Sequence, residues 1–135
     1  MSTGYARANV ADVKDVAPDY GLGDVGECRP LTPAVGGEGI GATYYTLASG
    51  TRHGFGHSHE KAEEMYMVLA GSGRAKLDDE IIDLAQHDVL RCAPPVMREF
   101  EGGPEGMTLL AFGHRIKDDG DLQKDFWPQE DTPAS

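Results

Sequence analysis

From residue 40 onward, apolar residues come in short runs, some alternating with polar positions and some continuous. Turn-forming residues separate the runs about every ten positions, which is the spacing of an all-β domain. The pattern predicts strands over 41–48, 52–59, 64–70, 73–77, 80–84, 88–92, 97–101 and 107–112. The separators are Ser49-Gly50, Gly71-Ser72-Gly73, Asp78-Asp79, Pro94-Pro95 and Gly102-Gly103-Pro104, residues that supply tight-turn geometry. Eight or so short strands closing as two sheets define a jelly-roll barrel.

Outside the barrel the pattern weakens. Residues 1–39 read as an irregular arm rich in Gly, Pro and Asp, with one short helical turn over 9–16 capped by Asn9. Residues 115–135 read as a polar tail around the 40–114 barrel. Its one apolar patch, Phe126-Trp127-Pro128, is expected to dock on the barrel, and 129–135 is expected to be mobile. The run 64–70 is apolar on both faces, where a strand with one solvated face would alternate. Glu64, Tyr66 and Val68 should line the interior. Met65, Met67 and Leu69 then need a cover from the other sheet, the arm or a second subunit. A homodimer is the expected answer.

Composition narrows the partners. At 135 residues, with 39% hydrophobic residues and 18 glycines, the chain fits one turn-rich β domain. A net charge of −11 without any Lys/Arg cluster excludes a nucleic-acid backbone as partner. Cys28 and Cys92 match no metal or redox spacing, so free thiols and a cytoplasmic setting are expected. The first seven residues contain no apolar stretch of the signal-peptide kind, and 65–70 is too short to span a bilayer, so no membrane association is expected. The stretch Gly21-Leu22-Gly23-Asp24-Val25-Gly26 has dinucleotide-fingerprint spacing but lacks the strand before it and the helix after it. It reads as a glycine-rich loop.

The chemistry concentrates at His57-Ser58-His59. On a strand, side chains two apart share a face, so both imidazoles point the same way. Glu64 opens the next run, and antiparallel pairing of that run with the His strand would bring its carboxylate to the same point. Two imidazoles and a carboxylate form a facial-triad ligand set with positions left open.

These residues resemble the first motif of the cupin superfamily: His-x-His, three or four residues, a Glu, six residues, a Gly. The spacing to Gly71 selects Glu64 over Glu63, while Thr51 stands where the family has a leading Gly. The resemblance covers roughly 40–113 and implies a double-stranded β-helix, the jelly-roll barrel of small single-domain bacterial cupins. It also implies a divalent ion (Fe, Mn, Ni or Zn) on His57, His59 and Glu64. The family's second motif ends in a fourth ligand, a histidine, and the matching stretch here is 87–100. Anchored on Asp88, the histidine position falls on Arg98, with Phe100 where these proteins often place an aromatic. Anchored on Pro94, it falls on Glu99.

A guanidinium has no lone pair to offer a metal. Arg98 therefore either pairs with Glu64 in place of the ion, leaving a metal-free ligand-binding pocket, or clamps an anionic substrate beside it. His53, at strand spacing before His57, is the leading substitute ligand or general base among the other histidines, if it does not simply bond at the pocket mouth. Tyr66 should face inward, as wall and as a hydroxyl able to donate to substrate. Cys92 reads as core, and His87 and His114 as surface. The expectation is a cupin with a divalent-metal pocket for a small polar or anionic organic molecule.

Overall fold

A computed structural model describes residues 4–128, and among them eight strands and three short 3-10 turns account for the regular structure. The strands are β1 (Gly26–Pro30), β2 (Ile40–Leu47), β3 (Phe55–His59), β4 (Glu64–Leu77), β5 (Glu80–Leu84), β6 (Val89–Cys92), β7 (Arg98–His114) and β8 (Gly120–Lys124). They form one curled antiparallel sheet ordered β1-β2-β7-β3-β8, with β4 also paired to β7 and carrying β5 and β6. The jelly-roll barrel expected from the turn spacing is the observed fold. Its core is Leu47, Tyr66, Val68, Phe100, Met107 and Leu109 with their neighbours.

Two of the expected turns are not turns. Gly71-Ser72-Gly73 lies inside the 14-residue β4, and Gly102-Gly103-Pro104 inside the 17-residue β7. The two long strands pair with each other and bend together, with register shifts on either side of Gly71. The glycines serve this shared bend. Gly73 pairs with Gly102, and a Cβ on Gly71 (φ 73°) would fall 2.2 Å from the Gly106 carbonyl oxygen.

Two strands lie where the sequence shows no alternation. β1 belongs to the arm expected to be irregular, and it adds to β2 over five residue pairs. β8 belongs to the polar tail and adds to β3 over another five, from Phe55↔Lys124 to His59↔Gly120. Ladder pairing is a backbone interaction, so a half-buried β1 and a wholly exposed β8 both form without apolar alternation. The capped turn is where the sequence puts it, a 3-10 helix over Val10–Asp12 with the Asn9 side chain accepting from the Ala11 amide at 2.9 Å.

The apolar patch of the tail docks as expected. Phe126 and Trp127 are buried, and Arg52 stacks on the indole with its guanidinium carbon 4.1 Å from the ring centre. Arg52 Nη1 donates to the carbonyls of Trp127 and Pro128, both at 3.0 Å, and Lys76 donates to that of Phe126 at 2.8 Å. Glu101 joins Arg52 and Arg74 at 2.8 Å each. Gly56 makes room for this, since a Cβ there would fall 2.6 Å from the Phe126 ring. Residues 129–135 lie outside the described residues.

β3 is therefore held from the tail side, and replacing Trp127 should loosen it. Trp127→Ala should cost about 2–4 kcal/mol in urea denaturation, the lower range for a large buried ring with one polar edge. Arg52→Ala should reproduce much of that loss, because the two changes remove the same stack and should not add.

Candidate metal centre

The donor cluster is assembled across the barrel rather than along one hairpin. The sequence reading has β3 pairing directly with the run that Glu64 opens. In the structure β3 pairs with β7 and β8, while Glu64 on β4 pairs with Cys92 on one side and Gly113 on the other. Both ladder sides of Glu64 are taken, so residues 60–63 carry the chain across to the opposite wall. The inward faces of β3 and β4 then meet over the interior, with the same result for the side chains.

His57, His59 and Glu64 each direct one ligand atom to a common point, all within 4.8 Å of one another. Glu64 Oε1 stands 3.3 Å from His57 Nε2 and 3.4 Å from His59 Nε2. Ligands about 2.1 Å from one ion at ordinary coordination angles stand roughly 3–3.4 Å apart, so the two imidazole–carboxylate separations suit a metal. His59 Nε2 is buried and has no hydrogen-bond partner, which ligation of a metal would resolve, while Nδ1 faces a carboxylate on the other side. The mixed imidazole and carboxylate set fits a divalent first-row ion.

Tyr66, buried on β4, faces inward with Glu64 and Val68 as strand alternation requires. Its hydroxyl donates to Glu64 Oε1 and lies 3.1 Å from His57 Nε2. Burial, followed by the Glu64 carboxylate, keeps that hydroxyl protonated well beyond the usual phenol range. Burial also works against ionisation of Glu64, but the bonds from His57 and Tyr66 and the imidazoles of His57 and His59 outweigh it and hold the carboxyl at about 2.

The register question in the second motif resolves on Arg98. It pairs with His57 across β3 and β7 and turns its side chain inward, whereas Glu99 turns the other way and accepts from the Gly54 amide at 3.0 Å. Arg98 has no exposed surface. Its Nη1 donates to the Val96 carbonyl at 2.8 Å and to those of His57 and Pro94 at 3.4 Å, and Nη2 lies 3.9 Å from Glu64 Oε1. A clamp on a substrate anion needs an accessible guanidinium, and this one lies behind Glu64 and Tyr66, away from the cavity wall. The guanidinium faces the Glu64 carboxylate instead.

One member of the site gave no sequence signal. Asp119, which reads as part of an Asp-Asp-Gly turn, is buried, and its Oδ2 stands 3.5 Å from His59 Nδ1. Its carboxylate accepts from the amides of Lys61 at 3.0 Å and Ala62 at 2.9 Å. Burial pushes this carboxyl up, and those two amides bring it below its ordinary value. A carboxylate behind a ligand histidine fixes its ring orientation and raises its basicity.

Two openings reach the cluster. His57 and Tyr66 face a cavity of about 400 Å³ whose other walls include Tyr45, His53, Phe55 and Leu109. His59 and Glu64 face a smaller cleft of about 280 Å³ rimmed by His114 and Arg115. The arm closes one side of the larger cavity with Ala17, Tyr20 and Leu22, held by Asp15, whose Oδ1 accepts from the Ala17 and Cys28 amides. His53 lies outside the ligand cluster and forms wall, its ring 5.9 Å from Phe55 and 5.8 Å from Tyr45. Cys92 is core, and His87 and His114 are exposed, as expected.

A curled eight-stranded barrel with His-x-His and Glu directed into its interior defines a class of small β proteins, and comparison with solved structures agrees. The chain has the cupin fold. It superposes on a cupin protein from Bacteroides fragilis with a TM-score of 0.69 at 24% identity, covering 87% of this chain and 89% of that one. A sugar phosphate isomerase of the cupin superfamily from Silicibacter pomeroyi gives 0.69 at 14% identity, with 96% of each chain covered. Oxalate decarboxylase from Bacillus subtilis gives 0.72 at 17% identity over 90% of this chain, which spans about a third (32%) of that protein. No protein-family model matches the sequence, and no curated protein matches it.

The placement of His53 carries a pH prediction. Burial, then the neighbouring His57, lowers its pKa from 6.5 to about 4. Above pH 6.5 the ring is neutral folded or unfolded and contributes nothing. Between 6.5 and 4 the unfolded chain takes a proton the folded chain refuses, so stability falls as pH drops through that window. The loss between pH 7 and pH 5 should shrink by about 1–2 kcal/mol in His53→Phe, read from paired urea titrations.

Proposed function

We propose that this protein holds one divalent ion on His57, His59 and Glu64 and presents it to a small polar or anionic organic molecule in the adjoining cavity. The observation that carries this reading is the convergence of three ligand atoms on one point, with His59 Nε2 buried, without a hydrogen-bond partner and turned toward Glu64. The sugar phosphate isomerase and oxalate decarboxylase among the structural neighbours support small-molecule chemistry for a barrel of this shape. When bound, an ion of the Fe, Mn, Ni or Zn kind polarises a carbonyl or acidifies a water. The protein's part is orientation and proton placement. Asp119 sets the His59 ring, Arg98 backs Glu64, and the Tyr66 hydroxyl holds a proton beside the ligand atoms. His53 supplies wall beside them rather than a ligand.

A second reading has a specific observation behind it. The Tyr66 hydroxyl and the Arg98 guanidinium both engage Glu64 Oε1, so the carboxylate has partners without an ion. The pocket would then hold its ligand metal-free. Elemental analysis of untagged protein separates the two. On the metal reading it finds one equivalent of a first-row ion, and His59→Ala loses it along with the thermal stability that binding confers. On the second reading His59→Ala leaves metal content unchanged at zero. Arg98→His supplies a fourth imidazole and removes a repelling cation, so it should raise metal affinity on the first reading and do nothing on the second.

We also propose that the protein works as a cytoplasmic homodimer. Cys28 and Cys92 are unpaired thiols, as an intracellular setting favours. The outer face of β4 presents Met65, Met67 and Leu69, each half-buried, beside Val89 at 55% exposure. A second copy laid face to face would cover them. Met67→Glu should shift sedimentation toward the monomer, whereas unchanged mass with lost stability would assign that face to the subunit's own core.

A further inference from the structure

We infer that the cavity beside the donor cluster is built for a molecule with a single metal-ligating head, such as a carboxylate, and an uncharged aromatic or branched aliphatic body. The head-group half of this inference rests on the metal reading above. The body half rests on the cavity alone.

Among the described residues, no Lys, Arg, Asp or Glu lines the cavity of about 400 Å³, a volume in the range of small-molecule sites. Arg98, the cation nearest to it in the site, has no exposed surface and its Nη1 is anchored on carbonyl oxygens. A phosphate, or a second carboxylate on the body of the ligand, would enter without a counter-charge, which a desolvated anion does not tolerate. His57 and the Tyr66 hydroxyl bring the donor cluster to the cavity, and the other polar side chains that line it, among them Tyr45 and His53, carry no charge to meet an anion. Along the body the walls are rings and branched chains. Tyr45, His53 and Phe55 follow one another at 5.8 and 5.9 Å between ring centres, the His53 ring lying nearly parallel to Phe55 at 22°. A flat aromatic body stacks on such a wall. The mouth is apolar as well, between Tyr20 of the arm and Leu122 of β8, 74% and 67% exposed. Two neighbours in fold act on sugar phosphate and oxalate by name, and both ligands carry charge where this cavity has none to answer it.

Titration calorimetry with four probes tests each half. Benzyl alcohol, which has a body and no anionic head, should bind metal-free protein, and Phe55→Ala should weaken it about tenfold. Leu122→Ala, on a fully exposed strand, should weaken it about threefold and serves if Phe55→Ala does not fold. In Zn(II)-loaded protein, phenylacetate should bind at least tenfold more tightly than acetate, which has the same head and no body. Glucose 6-phosphate, whose anionic head carries a polar body, should bind more weakly than phenylacetate. Glucose 6-phosphate binding more tightly than phenylacetate, or benzyl alcohol failing to bind, overturns the inference. Failure to load Zn(II) while benzyl alcohol still binds and responds to Phe55→Ala defeats the metal reading and the head-group half, and leaves the apolar-bodied ligand standing.

Discussion

A guanidinium with no exposed surface must find compensation inside the barrel, and Arg98 finds it in three places. Three backbone carbonyls accept from Nη1, the Tyr66 ring lies 5.9 Å from its central carbon, and Glu64 stands 3.9 Å from Nη2. Its Nε and Nη2 have no hydrogen-bond partner, so the Glu64 charge is what makes burial tolerable. The same carboxylate is the acidic member of the donor cluster. Core and site therefore share one negative charge, and neither can be altered without disturbing the other. The Arg98↔His57 register that joins β7 to β3 fixes the guanidinium and the first imidazole in one step.

The cluster also works as a partition. On one side of it lies an uncharged, ring-lined cavity, and on the other a smaller cleft with His114 and Arg115 at its rim. His57 and Tyr66 belong to the first space, His59 and Glu64 to the second. Strand alternation on β3 cannot produce this division alone, because His57 and His59 share a face. It arises because β4 approaches from the opposite wall and the two imidazoles meet at 87°.

The site was more legible in the sequence than the sheet that builds it. A period of two and a fixed spacing are local properties, so His57, His59, Glu64 and the inward turn of Tyr66 could be read from neighbours in the chain, whereas Arg98 and Glu99 stayed alternatives until the β3–β7 register separated them. Pairing partners are not local. β1 and β8 are short, β8 is exposed throughout, and neither shows the alternation of apolar and polar side chains that marks a strand in the sequence. Gly71 and the 102–104 stretch carry turn chemistry yet lie in bent strands, because a glycine permits a bulge as readily as a turn. Asp119 was invisible for the same reason as β8, since only the return of the tail to β3 brings it to His59.

That return has a consequence for the order of the site. β3 has one residue pair with β7 and five with β8, so the strand carrying both histidines gains most of its ladder from residues 120–124. Without those residues the imidazoles would project from a strand held to the sheet by a single residue pair. The order of the His-x-His strand therefore depends on a segment about sixty residues downstream, a contact whose closure costs more chain entropy than a hairpin does.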